Sequence, residues 1–478
     1  MAATKFRVII VGAGVTGLTA AHTLSAAGID YIVTEKWGEV APAAGASITV
    51  FPHCARVFKQ LGILDQIEKH AEPFTDGATN RDATGRVLMN TDLWGFIRKN
   101  HGTDVMLLER RALLEVLYET LPDKSKVLVN KEVRQITEHE THVDVHFTDG
   151  TVEQGDMVLG ADGVHSTVRQ EMWEHANSVE PGIITVAEKK AILATWRCLF
   201  GFCPGQPHLK NELSVSSLPD RRCFLVATQP KQSFFFVFWR PKEPYSRYTR
   251  PRYTSEDAQK AAESVADLPI SETMVFGELW NQRYRAQLAD IEEGILSRWH
   301  YGRFVLVGDA AHKVTPNLAL GGNLGIEGVV LLTNLLRSVV KRGATEQKPT
   351  TVELGQVFDQ YQTRHLPRAQ TVFDMSRAVT RMQAWDTRMM KFLSLYVVPY
   401  LDERSMPNDL GKIVRAGVLL DCRPVPEWPK GEMEWQYGSA SSAKAQESKK
   451  KQSGVLTAAV RLVVGAAVAI PLFVWATS

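Results

Sequence analysis

The hydrophobic pattern at the start of the chain alternates between buried strands and one helix. Residues 6–12 form an apolar run rich in β-branched side chains, and a glycine-rich turn follows it. Residues 15–27, VTGLTAAHTLSAA, then show helical spacing, and Gly28 can end that helix. Residues 30–35, DYIVTE, return to a strand pattern. The pattern therefore predicts a β-α-β unit at the amino terminus.

The remaining pattern divides into a strand-rich middle and a helical end. A helix is predicted within residues 104–121, and alternating segments between 125 and 160 predict strands. Between about 175 and 300, segments such as ILATWRCLF and SFFFVFWR predict a second sheet. A buried-strand pattern returns in RFVLVGDAAH, residues 303–312, and a helical pattern runs from about 323 to 400.

These patterns predict an α/β fold in which an inserted α+β domain interrupts a Rossmann-like dinucleotide-binding domain. We expect the dinucleotide domain at residues 1–172 and again, with C-terminal helices, at 301–400. The inserted sheet domain is expected at residues 173–300. Residues 401–453 are predicted to be an extension and linker, and residues 454–476 a membrane anchor.

The predicted anchor reads GVLTAAVRLVVGAAVAIPLFVW from residue 454 to 475, with Arg461 as its one charge. A membrane-spanning helix needs about 20 apolar residues. Lys449–Lys451 precede the segment, as is typical of a cytoplasmic flank. A docked amphipathic helix or a frayed tail is the alternative. The apolar run at the amino terminus leads into a glycine turn, so no secretory signal is predicted.

Composition narrows the class of protein. The 478 residues carry a formal net charge of +2, without the basic surplus of a general nucleic-acid binder. The hydrophobic fraction of 44% and the charged fraction of 23% are those of an ordinary globular protein. The five cysteines form no CxxC pair, so neither a disulfide framework nor a metal site is predicted.

The first motif with chemical meaning is Gly12-x-Gly14-x-x-Gly17, between the first strand and the first helix. Gly12 allows a tight turn, Gly14 a close approach of a diphosphate, and Gly17 close packing of the helix on the sheet. The free amides at the helix start attract phosphate groups. Glu35 ends the next strand, where its carboxylate can bind ribose hydroxyls. Together these residues predict a dinucleotide site, and a purely structural turn is the alternative.

Two further motifs follow buried strands. Gly308-Asp309 precedes a helix start at Gly321-Gly322, and Asp309 could hold the ribityl chain of a flavin there. An ordinary turn at the end of a strand is the alternative. Gly160-Ala161-Asp162-Gly163 ends the strand MVLG. Asp162 is assigned to the cofactor site because the three motifs occur together, although, taken singly, capping of the following helix is the favoured interpretation.

The segments GAGVTGLTAAHTLSAAG, GADGVHSTVR and VLVGDAAHKVTPN resemble those of the FAD-dependent aromatic-hydroxylase superfamily. The segments EKWGEVAPAAGASITVFPHCARVFKQLGI and LLERRALLEVLYETL resemble its fungal branch of paxilline-type epoxidases. That branch acts in indole-diterpene and meroterpenoid biosynthesis. The resemblance covers roughly residues 5–400.

The resemblance implies roles for single residues. Glu35 would bind the FAD ribose, Arg110 the diphosphate, and Asp309 and Gly322 the flavin. The GASIT segment, with Ala46 and Thr49, would pass near the isoalloxazine, although the family often has a glycine at position 49. Arg111 lies beside Arg110 and could be confused with it. Where this chain has Ala319-Leu320 the family usually has Gly-Gln.

In the inserted domain, the resemblance implies that Arg197 acts near the substrate as a catalytic residue, and a surface or core-edge cation is the alternative. The tyrosine that the family has roughly twenty residues later is missing. The aromatic run from Phe234 to Trp239 could line an apolar pocket, although much of it is expected to be sheet core. His312 has no partner at ligand spacing and is expected to be structural or close to the flavin.

The implied activity is that of a monooxygenase in which FAD, reduced by transiently bound NADPH or NADH, transfers one oxygen atom of O2 through a C4a-hydroperoxide. The expected substrate is an apolar prenylated terpenoid or meroterpenoid that is epoxidised and passed to a separate cyclase. The expected location is the endoplasmic reticulum membrane, with the catalytic domain in the cytosol. The alternatives are an aromatic-ring hydroxylase, a non-catalytic flavoprotein and an NAD-dependent dehydrogenase.

Overall fold

The structure is a computed structural model of the chain, and it describes residues 5–42, 45–245, 251–342 and 348–437. The predicted anchor at 454–476 and the linker residues before it from 438 onward lie outside the described residues.

Twenty strands occur in the described part of the chain. In chain order they are β1 (Arg7–Val11), β2 (Asp30–Thr34), β3 (Ser47–Val50), β4 (Glu72–Pro73), β5 (Ala78–Asp82), β6 (Val87–Thr91), β7 (Met106–Glu109), β8 (Val127–Leu128), β9 (Val133–Glu138), β10 (Val143–Phe147), β11 (Val152–Gly155), β12 (Met157–Gly160), β13 (Leu193–Pro204), β14 (Leu213–Leu218), β15 (Arg222–Thr228), β16 (Gln232–Trp239), β17 (Arg285–Ile295), β18 (His300–Tyr301), β19 (Phe304–Leu306) and β20 (His312–Lys313).

Thirteen α-helices occur in the same described residues. They are α1 (Val15–Ala27), α2 (Pro52–Leu61), α3 (Leu64–Glu68), α4 (Leu93–His101), α5 (Arg110–Glu119), α6 (Thr167–Val179), α7 (Val186–Lys189), α8 (Ser255–Glu263), α9 (Phe276–Asn281), α10 (Gly321–Arg342), α11 (Thr351–Gln383), α12 (Arg388–Tyr396) and α13 (Ser405–Arg415).

The first sheet has the doubly wound arrangement that the amino-terminal pattern predicts. Its order is β18-β19-β12-β1-β2-β8, and β19, β12, β1, β2 and β8 run parallel. Parallel strands are buried on both faces, which explains why β1 and β2 read as continuous apolar runs. Helix α1 follows β1, and Gly28 ends it in the left-handed conformation. The carboxyl ends of these strands therefore meet at one edge.

The second sheet has eight strands in the order β20-β17-β13-β16-β15-β14-β5-β6. Strands β5 and β6, residues 78–91, come from the part of the chain that the sequence assigned to the dinucleotide domain. The predicted boundary at residue 173 therefore leaves two strands of the second sheet in the wrong domain, because β5 pairs in parallel with β14 and extends that sheet. The two domains interleave along the chain, and a single cut between them does not exist.

The two faces of the second sheet pack against different partners. Side chains of Cys198, Phe200 and Phe202 on β13 join the large core shared with the first sheet. Leu199 and Cys203 alternate with them and join a separate core with α8 and α9. The period of two along a strand produces this division. We call the first the inner face and the second the outer face.

The region from about 323 to 400, which was predicted to be helical, contains three helices, α10, α11 and α12. A capping box formed by Thr350 and Glu353 starts α11. Part of α10, Gly321–Val340, is long and apolar enough to cross a membrane, and more than half of it is buried in the core.

Residues 401–437 differ from the predicted extension and linker. They contain α13, which packs against α4 and α2 and buries Leu410, Ile413 and Val414. The spacing of Leu410, Ile413 and Val414 is the local signal for this helix.

Candidate functional site

The glycine turn after β1 brings three parts of the chain into van der Waals contact. Gly12 has a φ of +103°, and a Cβ there would lie 2.7 Å from the carbonyl oxygen of Ala161. A Cβ on Gly17 would lie 1.9 Å from the carbonyl oxygen of Gly12. Larger residues cannot occupy these two positions without moving the backbone. The amides at the start of α1 consequently lie open at the carboxyl edge of the sheet, as a phosphate site requires.

Glu35 follows β2 and lies against this turn. Its carboxylate accepts hydrogen bonds from the backbone N–H groups of Ala13, at 2.8 Å, and Trp37, at 3.1 Å. These bonds fix a buried carboxylate beside the glycine turn, where it could bind the ribose of a dinucleotide.

Arg110, the first residue of α5, has its guanidinium between two glycines. A Cβ on Gly45 would lie 2.9 Å from Nη1, and one on Gly14 would lie 3.7 Å from Nη2. Desolvation lowers the pKa of Arg110, and the carboxylates of Asp309 and Glu35 oppose that shift. Within the described part of the chain, no oxygen accepts a hydrogen bond from this guanidinium. The backbone N–H of Arg110 donates to the carbonyl oxygen of Ala46, at 3.2 Å.

This arrangement fits a diphosphate. An anion between the amides of α1 and Arg110 would give the arginine charge-assisted hydrogen bonds that none of the described residues supplies. Arg111 does not share this environment. Its Nε donates to Glu115 at 2.8 Å on the exposed side of α5.

Asp309 lies in a short 3₁₀ turn, Gly308–Ala310, that follows β19. Gly308 has a φ of +58°, and a Cβ there would lie 2.8 Å from Thr16 Oγ1 at the start of α1. The turn thereby places Asp309 at the same edge as Arg110, and Lys313 donates a short hydrogen bond to its carboxylate. About one third of the Asp309 side chain is exposed, so it remains accessible to a ligand in the cradle.

The start of α10 packs against β3. A Cβ on Gly322 would lie 2.9 Å from Ile48 Cδ1. The Asn323 side chain donates to the carbonyl oxygen of Thr49, at 2.7 Å, and accepts from the N–H of Phe51, at 3.0 Å. The segment with Ala46 and Thr49 is thus fixed beside the first turn of α10, and its contact with the flavin ring stays a prediction. The sequence analysis missed the role of Asn323, although its place directly after two glycines at a helix start was a usable signal.

The loop before α10 gives a physical meaning to Ala319, where the family usually has glycine. Ala319 has a φ of +55°, in the left-handed region that glycine adopts without steric cost. Its carbonyl oxygen accepts from Asn323 Nδ2 at 3.0 Å, which helps to hold the strained residue.

Asp162 serves as a helix cap, which was the alternative weighed for it. Its Oδ2 accepts from the N–H groups of Thr167, at 2.7 Å, and Val168, at 3.1 Å, at the start of α6. Burial raises the pKa of Asp162, and these hydrogen bonds oppose the rise. Arg169 of the same motif donates to the carbonyl oxygen of Ala310 at 2.9 Å, so the motif is tied to the Asp309 turn. The structure shows a structural role for Asp162, and its contact with a cofactor stays a prediction.

Arg197 is not brought to this cradle. Arg197 on β13 is in register with Trp239 on β16 and Asp290 on β17. Its side chain lies on the outer face, as that of Leu199 does. Its Nε donates to Tyr245 Oη at 3.2 Å, and its guanidinium lies over the ring of Tyr253. A one-residue step along a strand turns a side chain to the opposite face, so the structure gives no support to a catalytic role for Arg197.

The aromatic run on β16 alternates between the two faces. Phe234 and Phe238 join the large core, and the partly buried Phe236 packs against it on the inner face. Phe235 packs on the outer face against Phe276 and Trp280, with ring centroids 5.1 and 5.8 Å apart. Most of the run is therefore sheet core, and Phe236 is its partly buried ring on the inner face.

Beside the inner face, Asn317 links three elements that the sequence analysis did not connect. Its Nδ2 donates to Gln383 Oε1 at the end of α11, at 2.7 Å, and lies 3.9 Å from Cys223 Sγ on β15. Burial raises the pKa of both Cys223 and the neighbouring Cys198, so these thiols are neutral at physiological pH. The amide pair of Asn317 and Gln383 therefore lies beside a neutral thiol.

His312 is buried between Trp299 and His365, with ring centroids 5.1 and 5.4 Å away. Burial lowers its pKa to about 4, so the ring is neutral at physiological pH. Its aromatic surroundings agree with the structural role that the sequence favoured.

The glycine turn, Glu35, Arg110 and Asp309, at the edge of a doubly wound sheet covered by a second sheet, define a dinucleotide-dependent oxidoreductase of the two-domain flavoprotein type. A family model described as "FAD binding domain" matches residues 5–376, and the chain belongs to that family. Its cofactor is FAD.

The chain is 36% identical over 456 residues to the FAD-dependent monooxygenase DEP2 of Alternaria brassicicola, covering 95% of this chain and 85% of the relative. It is 35% identical over 477 residues to the FAD-dependent monooxygenase dpchE of Colletotrichum higginsianum, covering 98% of both. The fold is similar to that of Klebsiella pneumoniae HpxO complexed with FAD and uric acid, with a TM-score of 0.68, 19% identity, and 86% and 96% of the two chains covered. These similarities identify the chain as a FAD-dependent monooxygenase.

Proposed function

We propose that the protein epoxidises an alkene of an apolar, prenylated terpenoid or meroterpenoid in fungal secondary metabolism, with NADPH or NADH as the source of electrons. Bound FAD supplies the chemistry of oxygen activation and transfer. The remaining tasks belong to the protein: it binds the cofactor, holds the substrate above the start of α10, and excludes water.

The observation that carries the proposal is the chemistry of the inner face. Phe236 is the partly buried ring on this face, the thiols of Cys198 and Cys223 are buried and neutral, and none of these groups abstracts a proton. Attack of an alkene on an electrophilic oxygen needs no deprotonation, whereas hydroxylation of a phenol is assisted by a base.

Two ion pairs lie beside this face. Arg240 lies over the Trp196 ring and donates to both oxygens of Asp386, at 2.7 and 2.8 Å. Glu293 accepts from Arg381 Nη1 at 3.2 Å, and this partner helps to lower the pKa of Glu293 against desolvation. Paired carboxylates are poor general bases, which favours the epoxidase over the aromatic-ring hydroxylase.

The test is to incubate the purified flavoprotein with NADPH, isotopically labelled O2, and matched prenylated substrates and phenols. We expect one labelled oxygen in the product of the terminal alkene, and an epoxide that hydrolyses to a diol in acid. A hydroxylated ring as the main product would favour the alternative activity. Absence of substrate-dependent NADPH oxidation across the panel would favour a non-catalytic flavoprotein.

Two further parts of the proposal rest on the sequence. The apolar residues 454–475 support attachment to the endoplasmic reticulum membrane with the catalytic part in the cytosol. An epoxide is a reactive product, so a cyclase that consumes it is the expected next enzyme. Fluorescence microscopy of the tagged full chain, with protease protection of its amino terminus, tests the location and orientation.

A further inference from the structure

Helix α12 and the turn after it expose an unusual concentration of large apolar side chains. The exposed fractions are 52% for Met389, 52% for Phe392, 64% for Tyr396 and 84% for Tyr400. Met389, Phe392 and Tyr396 are spaced three and four residues apart and therefore lie along one side of the helix. Met390 and Leu393, which follow Met389 and Phe392 by one residue, are buried. We call the four exposed residues the α12 stripe. Concentrated apolar surface of this kind marks an interaction site.

The residue types of the α12 stripe match the interface of a lipid bilayer. Tyrosine is enriched where hydrocarbon meets headgroups, because its ring combines an apolar body with a polar hydroxyl. Phenylalanine is typical of the apolar face that an interfacial helix inserts into the lipid. Arg388 and Lys391 are exposed beside the stripe, and basic residues in this position attract anionic headgroups. The exposed acids Asp402 and Glu403 follow only after the stripe has ended.

The chain beyond the described residues supplies a reason for a bilayer to be near. Residues 454–475 are long and apolar enough to span one, and Lys449–Lys451 precede them. The 16 residues from 438 to 453 can extend over about 55 Å. A folded protein with as many residues as precede this linker has a radius of gyration of about 22 Å. A span at residue 454 therefore leaves enough chain for α12 to meet the same bilayer.

The α12 stripe also adjoins the inner face of the second sheet. Gln383, at the end of α11, binds Asn317 beside Cys223, and Asp386 binds Arg240 at the end of β16. Helix α12 begins two residues after Asp386, and Lys391 lies over the ring of Trp385, 4.8 Å from its centroid. A partner that contacts α12 is consequently close to the edge of the inner face.

We propose that the α12 stripe is a bilayer-contacting face, on which the catalytic part rests with the edge of the inner face turned toward the lipid. This contact goes beyond the proposed epoxidation and does not depend on it. In combination with that activity, it gives an apolar substrate a path from the bilayer to the inner face.

The test attaches an environment-sensitive fluorophore to Phe392→Cys in the full-length holoprotein. The matched control is Val352→Cys on α11, an apolar position that is 71% exposed. Four natural cysteines are buried and Cys422 is partly buried, so labelling of the unsubstituted chain gives the background. Vesicles of phosphatidylcholine with a minor share of phosphatidylserine are added, with and without a nitroxide quencher on the acyl chains.

We expect a blue shift and at least about threefold stronger quenching at position 392 than at position 352, because only the former would enter the lipid. Equal responses at the two positions overturn the proposal. A probe at position 392 that is blue-shifted before vesicles are added, and unchanged afterwards, also overturns it, because another protein segment then covers the stripe.

The flavin absorbance of each labelled protein reports whether it is folded, and Tyr396→Cys replaces Phe392→Cys if the latter loses flavin. Neither substitution lies in the FAD cradle. If the protein transfers oxygen to none of the substrates, the proposed function is contradicted. The fluorescence results still decide whether the α12 stripe contacts the bilayer.

Discussion

Arg110 and Arg111 are chemically identical neighbours, and the helix that carries them gives each a different environment. Successive residues of an α-helix point about 100° apart, so the first faces the glycine cradle and the second faces solvent. Arg110 lies between Gly14 and Gly45 without a hydrogen-bonded acceptor among the described residues, whereas Arg111 pairs with Glu115. The role of a side chain therefore depends on the groups that surround it.

We predict that Arg110→Ala weakens FAD binding by about 10- to 100-fold, since hydrogen bonds to charged groups contribute about 1.5–3 kcal/mol. Arg111→Ala is the matched control and should bind FAD as the unsubstituted protein does. Titration of the apoprotein with FAD, followed by flavin fluorescence, measures both affinities. Equal affinities would mean that Arg110 does not contact the diphosphate.

We also predict that Asp309→Ala lowers the flavin content of the purified protein, because the carboxylate lies at the same edge as Arg110 and balances Lys313. Asp359→Ala removes an exposed carboxylate of α11 and serves as the control. The ratio of flavin to protein absorbance gives the result. Full flavin content and normal turnover in Asp309→Ala would contradict the assignment.

At the scale of elements, turns decide how closely strands and helices approach one another. Gly308 brings the Asp309 turn against Thr16 of α1, and only a hydrogen fits in the remaining space. Ala319 occupies a similar left-handed position before α10, where an alanine costs about 1–2 kcal/mol relative to an ordinary backbone conformation.

We predict that Ala319→Gly stabilises the protein by about 0.5–1 kcal/mol, because relief of strain exceeds the added entropy of the unfolded chain. Gly308→Ala should do the opposite, since it introduces both a positive φ for alanine and a contact of 2.8 Å with Thr16 Oγ1. Thermal unfolding of the two variants under one set of conditions measures the signs. A lower melting temperature for Ala319→Gly would show that the loop does not keep this conformation in solution.

At the scale of the whole molecule, packing the two sheets and the long helices together buries titratable groups that cannot easily be charged. Burial lowers the pKa of His101 to about 3, of His312 to about 4 and of His365 to about 3. These folded-state pKa values lie below the ordinary value of 6.5. The unfolded chain therefore binds more protons than the folded protein at acidic pH.

We predict that the free energy of unfolding is maintained above about pH 6.5 and falls as the pH decreases toward about 4, by roughly 1.4 kcal/mol per pH unit for each of these histidines. The variant His365→Asn should reduce this slope, and His208→Asn, at an exposed position, should leave it unchanged. Urea unfolding at several pH values gives the slopes. Equal slopes in the two variants would contradict the burial of His365 as a neutral ring.

The sequence by itself determined the elements whose pattern is local. The β-α-β unit, the glycine turn with Glu35, and the Asp309 motif follow from apolar runs and glycines that need no distant partner to be recognised. The family was also determined at this level, because the same three motifs carry the resemblance and lie within the matched residues 5–376.

Only the tertiary structure decided what depends on strand register and on contacts between distant residues. It placed β5 and β6 in the second sheet, turned Arg197 to the outer face, and joined Asn317 to Gln383 and Cys223. A strand exposes alternate residues to opposite sides, and pairing partners can lie more than a hundred residues apart. Local pattern cannot fix either choice, because the free energy that selects the register comes from the assembled core.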